Sequence, residues 1–368
     1  MKHLLLLLLF PLVLFGQKDT NYRVKGEISE LSLSPNNEVW LVSNGGYIYT
    51  SKNVSNDLKV ILEIPTTKNT FTGESTIEME RVSFFNNEKL FLSGYLGEDL
   101  NGKERNKANM IYLSNNHGKS WELVQFTKGY SWIYDVFTKK NGEAWMGGSQ
   151  GQLYYTNTYG KTWEKSIKPY SSKERSYRIL VNDDYIFVAS LRGDLSKTDF
   201  IKQKTKKIPT PREKGFEVGN DKKINRMALL NSTLILCQGT KVFYTTSYQD
   251  IKWVSLQTKI TDFSLDTTTK ECYGITLENE IVKYNADFSE YKSIATFSKE
   301  EVLVDVKANN GELFILTKIL KPFEKGDDVV TTFGDMVVTR VGYQKILAYK
   351  LYKVTPEGKS IISMQKVD

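Results

Sequence analysis

The sequence has 368 residues, and its formal net charge of +7 at pH 7 is spread along the chain without a compact basic block, which gives nucleic-acid binding little support. Two cysteines are too few for a disulfide framework, and with only two histidines the chain lacks the ligands for a His/Cys metal cluster. A Ser-His-Asp triad in the mature chain would have to use His117.

Residues 1–16 are the first predicted element, a secretory signal peptide. A short positive start precedes a leucine-rich apolar run, and small Gly16 ends this run before Gln17. The run is shorter than the roughly 18 apolar residues that a membrane helix needs. The sequence therefore predicts cleavage after Gly16 and a secreted or periplasmic protein without a membrane span.

From residue 17 onward one pattern recurs, in which a short alternating strand, a tight turn and a strongly apolar strand form a hairpin. The turns are rich in Asn, Gly, Asp and Thr, which favour the backbone angles of tight hairpins. Seven such hairpins start near residues 30, 81, 135, 178, 226, 262 and 305. In the second strands, which are apolar on both faces, one register position holds Trp40, Phe91, Trp145, Phe187, Ile235, Tyr273 and Phe314.

After most hairpins the chain continues with a third strand and a more polar fourth strand. Four antiparallel strands per unit, with units about 40 to 50 residues apart, are typical of propeller blades. A strand that is apolar on both faces is expected where each blade packs between two others. The pattern predicts an all-β protein, a seven-bladed β-propeller of four-stranded antiparallel blades in a single domain, residues 17–368.

Between third and fourth strands lie three related turns, "SNNHGKSW", "TNTYGKTW" and the degenerate "TSYQDIKW". Their hydroxyl groups can close a tight turn, glycine permits a positive φ, and tryptophan can cover the blade core. We interpret them as structural turns rather than ligand sites. Their key residues are Ser114, Gly118 and Trp121 in the first turn, Thr156, Gly160 and Trp163 in the second, and Trp253 in the third.

These turns resemble the Asp-box, or BNR repeat, although Asn116 and Thr158 replace its usual aspartate. The stretch "EAWMGGSQGQLYYTNTYGKTW" is similar to repeats of the photosystem II stability/assembly factor family, and more distantly to sialidase and sortilin-type propellers. The resemblance covers the predicted blades. It implies a propeller and a protein-binding role, without identifying the partner, because such relatives perform unrelated functions.

Three long insertions are predicted as loops on one face of the propeller. They comprise residues 95–109, 207–223 and roughly 318–344. The loop between second and third strands shares a face with the connection to the next blade, whereas the box turns lie on the opposite face. Long loops on a rigid scaffold commonly serve recognition, although they can also be tolerated surface decoration.

A charge stands at one equivalent position at the start of each first strand. First strands line the central channel of a propeller, so these residues should form a charged ring at the channel mouth. The charged ring consists of Glu30, Arg81, Asp135, Arg178, Arg226, Asp262 and Asp305, with a sum of −1, and Tyr134 and Tyr177 lie beside it.

Two interpretations of the charged ring remain open. It can be a set of structural ion pairs between blades, or a polar ligand site in a funnel. In the first, Arg81 lies between Glu30 and Asp135. Arg178 is also near Asp135, and Arg226 lies beside Asp262. In the second, Arg178 and Arg226 bind an anion or a partner's carboxylate.

The composition and motifs favour an exported, non-enzymatic propeller that binds a protein partner through the loop-rich face, as a monomer and without cofactor or metal. The alternative is a carbohydrate- or carboxylate-binding propeller, possibly a glycoside hydrolase. Three ring arginines resemble the arginine triad of sialidases, but the Arg-Ile-Pro motif of that family is absent. No carboxylate pair stands out as catalytic. Cys237 and Cys272 are predicted as two buried thiols.

Overall fold

The computed structural model describes residues 26–366 apart from 44–45, 52–58, 64–76, 101–103, 129–132, 149–150, 152, 166–175, 191, 212–222, 286–287, 322–328, 334–335, 341–345 and 356–357. Its elements are β-strands, and no described segment forms a long apolar helix of the kind that crosses a membrane. The predicted signal peptide lies outside the described residues.

Strands β1 to β16 form four antiparallel four-stranded sheets, in which strands consecutive in sequence are hydrogen-bonded neighbours. We number these sheets units 1 to 4. Unit 1 contains β1 (Ile28–Leu33), β2 (Val39–Ser43), β3 (Tyr47–Ser51) and β4 (Lys59–Glu63); unit 2 contains β5 (Ile77–Phe84), β6 (Leu90–Leu100), β7 (Glu104–Ser114) and β8 (Glu122–Lys128). Unit 3 contains β9 (Ile133–Thr138), β10 (Ala144–Gly148), β11 (Leu153–Thr156) and β12 (Glu164–Lys165); unit 4 contains β13 (Ser176–Val181), β14 (Tyr185–Ser190), β15 (Leu195–Asp199) and β16 (Lys204–Ile208).

The next sheet has seven strands and contains two further units. Its strands are β17 (Ile224–Leu230), β18 (Thr233–Gln238), β19 (Lys241–Thr245), β20 (Val254–Asp266), β21 (Glu271–Thr276), β22 (Glu280–Tyr284) and β23 (Tyr291–Thr296). Long β20 changes partner within its length, because Lys259 pairs with Lys241 of β19 while Ile260 pairs with Thr276 of β21. Unit 5 and unit 6 therefore share β20.

The last four-stranded sheet, unit 7, contains an inserted hairpin. Its strands are β24 (Glu301–Asn309), β25 (Glu312–Leu320), β28 (Ile346–Thr355) and β29 (Gly358–Lys366), and the hairpin between β25 and β28 consists of β26 (Val329–Phe333) and β27 (Met336–Arg340). The predicted insertion at 318–344 thus contains a β-hairpin rather than loop alone.

A second predicted loop, residues 95–109, also proves to be mostly strand. Strands β6 and β7 continue their pairing from Tyr95 opposite Asn109 to Leu100 opposite Glu104. The extension reaches seven residues beyond Ser93, which at about 3.3 Å per residue is roughly 23 Å. Of the third predicted insertion, 207–223, residues 212–222 lie outside the described part of the chain.

The core lies between neighbouring units. Seven clusters of buried side chains each join two units: 1 with 2, 2 with 3, 3 with 4, 4 with 5, 5 with 6, 6 with 7, and 7 with 1. In the last of these, Ile28 and Leu31 of unit 1 pack with Phe314 and Tyr349 of unit 7. The main-chain N–H of Ile28 also donates to the Tyr349 hydroxyl at 3.0 Å.

The second strand of unit 1 shows how the sequence pattern produces this packing. All five residues of β2 are buried. Val39 and Leu41 belong to the core with unit 7, while Trp40 and Val42 belong to the core with unit 2. Because successive side chains of a strand point to opposite faces, a fully apolar strand needs a neighbouring sheet on each side.

The register predicted for the second strands is confirmed. All seven residues at this position are buried, and each pairs with a first-strand residue two positions beyond a member of the charged ring. They are Trp40, Phe91, Trp145, Phe187, Ile235, Tyr273 and Phe314.

The three box turns are closed by hydroxyl groups, as the sequence predicts. Gly118 N–H donates to the Ser114 hydroxyl at 2.8 Å, and Gly160 N–H donates to the Thr156 hydroxyl at 3.2 Å. In the degenerate turn, Lys252 N–H donates to the Thr245 hydroxyl at 3.3 Å, so the turn persists without the glycine.

Each box tryptophan packs against the preceding unit as well as its own. The ring centroids of Trp121 and Trp40 lie 6.5 Å apart, and those of Trp163 and Phe91 lie 5.8 Å apart. Trp253 donates from its indole N–H to the Pro209 carbonyl oxygen at 2.7 Å. The boxes therefore help to hold adjacent sheets together.

We predict that Gly118→Ala destabilises the protein by about 3 kcal/mol, because two costs add. Gly118 has a φ of +73°, which costs an L-residue about 1–2 kcal/mol. The new Cβ would also lie 2.5 Å from Cη2 of Trp40, and such overpacking costs about 1–3 kcal/mol. Urea unfolding measures the loss.

Gly311→Ala is the matched control, since Gly311 has a φ of +78° but its nearest contact to an added Cβ is Thr269 at 3.6 Å. It should show only the backbone cost of about 1–2 kcal/mol. Equal losses in the two variants would contradict the packing of this turn against Trp40.

Candidate functional site

The seven members of the charged ring occupy equivalent positions. Each follows a β-bulge on the first strand of its unit and pairs with the second strand at the same register. The pairs are Glu30 with Val42, Arg81 with Ser93, Asp135 with Gly147, Arg178 with Ala189, Arg226 with Cys237, Asp262 with Ile275, and Asp305 with Leu316. A bulge inserts one residue into a strand and re-aims its neighbours, so a repeated bulge places the same position alike in each unit.

Arg81 lies between two carboxylates of the neighbouring units, as predicted. Its Nε is 3.0 Å from Glu30 Oε1, and its Nη1 contacts Asp135 Oδ1. Asp135 continues the contact into the next unit, since its Oδ2 accepts the main-chain N–H of Ile179 at 2.7 Å. One chain of polar contacts thus connects units 1 to 4.

Arg226 joins units 5, 6 and 7. Its Nε donates to Asp262 Oδ1 at 2.8 Å, confirming that predicted pair, and its Nη2 lies 3.5 Å from Asp305 Oδ1. Asp305 Oδ2 accepts the main-chain N–H of Leu31 at 3.2 Å, which carries the contact from unit 7 into unit 1. Asp135 and Asp305 therefore make equivalent bonds. Each accepts a main-chain N–H from the residue that follows the charged-ring member of the next unit, Ile179 after Arg178 and Leu31 after Glu30.

Arg178 contacts main-chain oxygens of the units on both sides. Its Nε donates to the Asn225 carbonyl oxygen at 2.5 Å and its Nη1 to the Tyr134 carbonyl oxygen at 3.4 Å. Tyr134 therefore takes part through its backbone. Tyr177 lies on β13, but its side chain lies outside the described residues.

Lys307 is a further charged residue that the sequence interpretation missed, and together with the seven residues of the charged ring it forms one charged cluster. It lies two residues after Asp305 on β24, and its Nζ lies 2.7 and 2.8 Å from the two carboxylate oxygens of Asp305. The period of two along a strand would have indicated its position. With Lys307 included, four carboxylates face four cations, so the formal charges of this cluster sum to zero.

Burial and pairing shift the pKa values within this cluster in different directions. Burial raises the pKa of Glu30 above its ordinary value, and Arg81 offsets the rise only in part. Burial also acts to raise the pKa of Asp262, but the adjacent Arg226 outweighs it and holds that pKa below its ordinary value. The arginines stay charged, because the carboxylates beside Arg81 and Arg226 overcome burial and raise both pKa values.

Two cavities lie along the first strands, and one of them is lined by a member of the charged ring, Arg226. One of about 370 Å³ is lined by Arg226, Lys307 and the first strands of units 3 to 6. The other, of about 500 Å³, is lined mainly by serine, threonine and asparagine residues of units 1, 2, 3, 6 and 7. They share Ser264, Leu265, Thr267 and Lys307, so they adjoin along β20 and β24.

Cys237 and Cys272 are free and buried thiols. Burial raises the pKa of each to about 12, which keeps both protonated and unreactive at neutral pH. Among the described residues, no group of three or more His, Cys, Asp or Glu side chains is arranged to hold a metal ion.

No protein-family model matches the sequence, and no curated protein matches it either. Solved structures do match. YCF48 bound to D1 peptide aligns with a TM-score of 0.56 and 14% identity over 79% of this chain and 89% of that chain. YCF48 from Cyanidioschyzon merolae aligns with a TM-score of 0.56 and 12% identity, over 79% of this chain and 93% of that chain. The computationally designed Ika8 protein aligns with a TM-score of 0.54 and 9% identity, over 94% of this chain and 98% of that chain.

At these identities the similarity concerns the fold. The chain is an all-β protein made of antiparallel four-stranded sheets, a β-propeller. Its fold resembles that of YCF48, which confirms the propeller fold expected from the sequence, without the number of blades.

The opposite pKa shifts of Asp262 and Glu30 predict opposite effects on acid stability. Because the pKa of Asp262 is lowered in the folded protein, its ionised carboxylate stabilises the fold at pH values above the ordinary aspartate pKa of about 4. This stabilisation is lost as the pH falls below that value. Asp262→Asn should therefore be less stable at pH 7 but lose stability less steeply between pH 5 and pH 2. Urea unfolding at a series of pH values measures the slope.

Glu30→Gln is the complementary variant. The raised pKa of Glu30 means that the folded state binds its proton more tightly, so this group adds stability as the pH falls. Its removal should make the acid loss steeper than in the wild type. The same change of slope in both variants would contradict the assigned shifts.

Proposed function

We propose that this chain is an exported, non-enzymatic, seven-bladed β-propeller that binds a protein partner, of the assembly-factor or scaffold type, on the face that carries the charged ring. Export rests on the signal peptide predicted over residues 1–16. We further propose that the three hydroxyl-closed turns are degenerate Asp-boxes with a structural role.

Seven blades are supported by a repeat and by a contact between the chain's two ends. The bulged pair of first and second strands recurs at seven equivalent positions in the described residues, and a core cluster joins unit 7 to unit 1. Leu31 and Asp305 add a hydrogen bond across the same boundary. In this arrangement each terminal sheet keeps its own four strands, and side-chain packing closes the ring.

The observation that carries the binding face is that two inserted hairpins begin at the edge where the charged ring lies. Arg81, at the start of the first strand of unit 2, pairs with Ser93, and beyond Ser93 the strands β6 and β7 project as a hairpin. The insertion with β26 and β27 leaves unit 7 from the corresponding place, after β25. Projections of this kind on a rigid scaffold are typical of recognition surfaces.

The box turns lie on the opposite face. His117 N–H donates to the Glu88 carbonyl oxygen at 2.9 Å, and Tyr159 N–H donates to the Gly142 carbonyl oxygen at 3.1 Å. Glu88 and Gly142 belong to the turns between first and second strands, at the far end of each sheet. The box turns can therefore stabilise the sheets, but they lie too far from the hairpins to contact a ligand bound there.

The similarity to YCF48 bound to D1 peptide also favours a protein partner, since a propeller of this fold is known with a peptide bound. A carboxylate site at the charged ring has less support. Arg81 and Arg226 already pair with carboxylates of this chain, so a ligand would compete with Glu30, Asp135, Asp262 or Asp305. A glycan ligand remains the alternative outcome of the test.

The test is capture of a partner by the immobilised mature chain, residues 17–368, from an extract of the cell envelope. A trimmed variant replaces residues 97–107 with Asn-Gly between the paired Leu96 and Ala108, which shortens the hairpin without changing its register. The captured protein is then purified and its affinity measured by calorimetry. We expect the trimmed variant to bind at least about tenfold more weakly.

Lys119→Glu combined with Lys161→Glu is the control, because both lysines are exposed on the box face. This variant should bind the purified partner with wild-type affinity. Equal binding by the trimmed variant would overturn the assigned face. Binding on a glycan array without capture of any protein would replace the proposal with the carbohydrate-binding alternative.

A further inference from the structure

The turn between β15 and β16 carries the most exposed large apolar side chain of the described residues, and we call this turn, residues 200–203, the unit 4 turn. Ile201 is 89% exposed, whereas the next such side chain, Tyr291, is 52% exposed. In the corresponding turns of units 2, 3 and 5 every exposed residue is polar. Ile201 therefore adds little to the core, and a β-branched apolar residue is not one that tight turns favour.

Hydrogen bonds and packing hold the unit 4 turn in one conformation. Asp199 Oδ1 accepts the main-chain N–H of Ile201 at 3.0 Å and that of Lys202 at 2.8 Å. Phe200 packs inward against Trp145, with ring centroids 5.8 Å apart. The turn thus packs one apolar residue against the core and presents the next one to the outside.

The unit 4 turn lies on the face of the box turns, opposite the hairpins. Phe200 N–H donates to the Asp184 carbonyl oxygen at 3.0 Å, and Asp184 belongs to the turn between β13 and β14. His117 and Tyr159 of the box turns make the same bond in units 2 and 3. A partner on the hairpin face would therefore leave Ile201 accessible.

Positive charge surrounds Ile201. Four exposed lysines and no acidic residue follow it in the stretch 202–207, and they are Lys202, Lys204, Lys206 and Lys207. Lys202 Nζ lies 3.7 Å from Asp199, and Lys207 Nζ lies 2.5 Å from Asp194. Lys204 and Lys206 have no carboxylate partner within the described ranges. Unit 4 as a whole, residues 176–208, contains seven basic and four acidic residues, so positive charge is in excess.

The fold does not account for this cluster of lysines. Lys206 of β16 pairs with Lys197 of β15, and like charges directly opposite each other destabilise a sheet. Burial lowers the pKa of Lys197, and Lys206 lowers it further. Lysines can protect an outer strand from pairing with other sheets. However, the outer strands β4 and β8 each contain a single lysine, and edge protection does not explain an exposed isoleucine in a turn.

The combination of an exposed isoleucine with unpaired lysines indicates what kind of surface fits here. A soluble polyanion would pair with the lysines but would leave Ile201 in water. An apolar groove on a protein would bury Ile201 but would leave the lysines without counter-charges. The interface of a bilayer with anionic lipids offers phosphates to lysine and an acyl boundary to isoleucine at one surface.

We propose that the edge of unit 4 formed by Ile201, Lys202, Lys204 and Lys206 is a contact site for the surface of an anionic lipid bilayer. Ile201 enters the boundary between headgroups and acyl chains, and the lysines pair with headgroup phosphates around it. Binding is peripheral and reversible, because one apolar side chain holds a protein far less firmly than a membrane helix does. The site does not depend on the proposed protein partner, and it would turn the hairpin face away from the bilayer.

Co-sedimentation with vesicles tests the site, using the proposed mature chain, residues 17–368. Vesicles of phosphatidylcholine with about 30% phosphatidylglycerol are compared at low salt with vesicles of phosphatidylcholine alone. We expect binding to the anionic vesicles to be about tenfold or more tighter and to weaken as salt is added. Equal binding to both kinds of vesicle, or binding to neither, would overturn the proposal.

Two variants separate the apolar and the charged part of the site, and both change exposed side chains that the fold does not need. Ile201→Ser should weaken binding to the anionic vesicles about fivefold. Lys204→Gln combined with Lys206→Gln should weaken it about tenfold or more and reduce its dependence on salt.

Matched controls remove the same kinds of group from elsewhere. Leu123→Ser removes an exposed apolar side chain from unit 2, and Lys292→Gln combined with Lys299→Gln removes two exposed lysines outside unit 4. Each should bind within about twofold of the wild type. If the two lysine pairs have equal effects, net charge alone attracts the protein and the site is wrong. If Ile201→Ser binds like the wild type and soluble polyphosphate competes fully, the ligand is a polyanion and the bilayer is wrong.

Discussion

The structure depends on the burial of each second strand on both of its faces. In β2, alternate residues belong to the cores on either side, Trp40 towards unit 2 and Leu41 towards unit 7. A sheet with two apolar faces is not stable alone, and a linear stack of such sheets would expose an apolar face at each end. Contact between the last unit and the first removes both exposed faces. The position of the first strands, and with them the charged ring, follows from this arrangement.

Much of this fold could be predicted from the sequence because its signals are local and repeated. Alternation, turn residues and the apolar second strands predict the sheets, and the alignment of the hairpins predicts the charged ring. The hairpin at Tyr95–Leu100 could not be predicted, because its polar, glycine-containing sequence is also typical of a loop. The contacts of Arg178 with main-chain oxygens have no sequence signal at all, since any residue supplies a carbonyl group. Lys307 does not follow from the alignment of ring positions, because it lies two residues beyond Asp305 on the same strand.

The same contacts shape what the molecule can bind. Arg81 and Arg226 connect units through carboxylates, so their charge serves mainly to hold sheets together. Removing one partner from such a buried network leaves an uncompensated charge, which is costly to stability. In the proposed function, recognition falls to a part of the molecule outside this network, the hairpins that begin at the edge of the charged ring.

A crystal structure of residues 17–368 tests the central claim most directly. The account predicts seven four-stranded blades around one axis, with Asp305 of the last blade accepting a hydrogen bond from the main-chain N–H of Leu31 in the first. A ring with six or eight blades, or an open arc in which Leu31 and Asp305 lie apart, would contradict it.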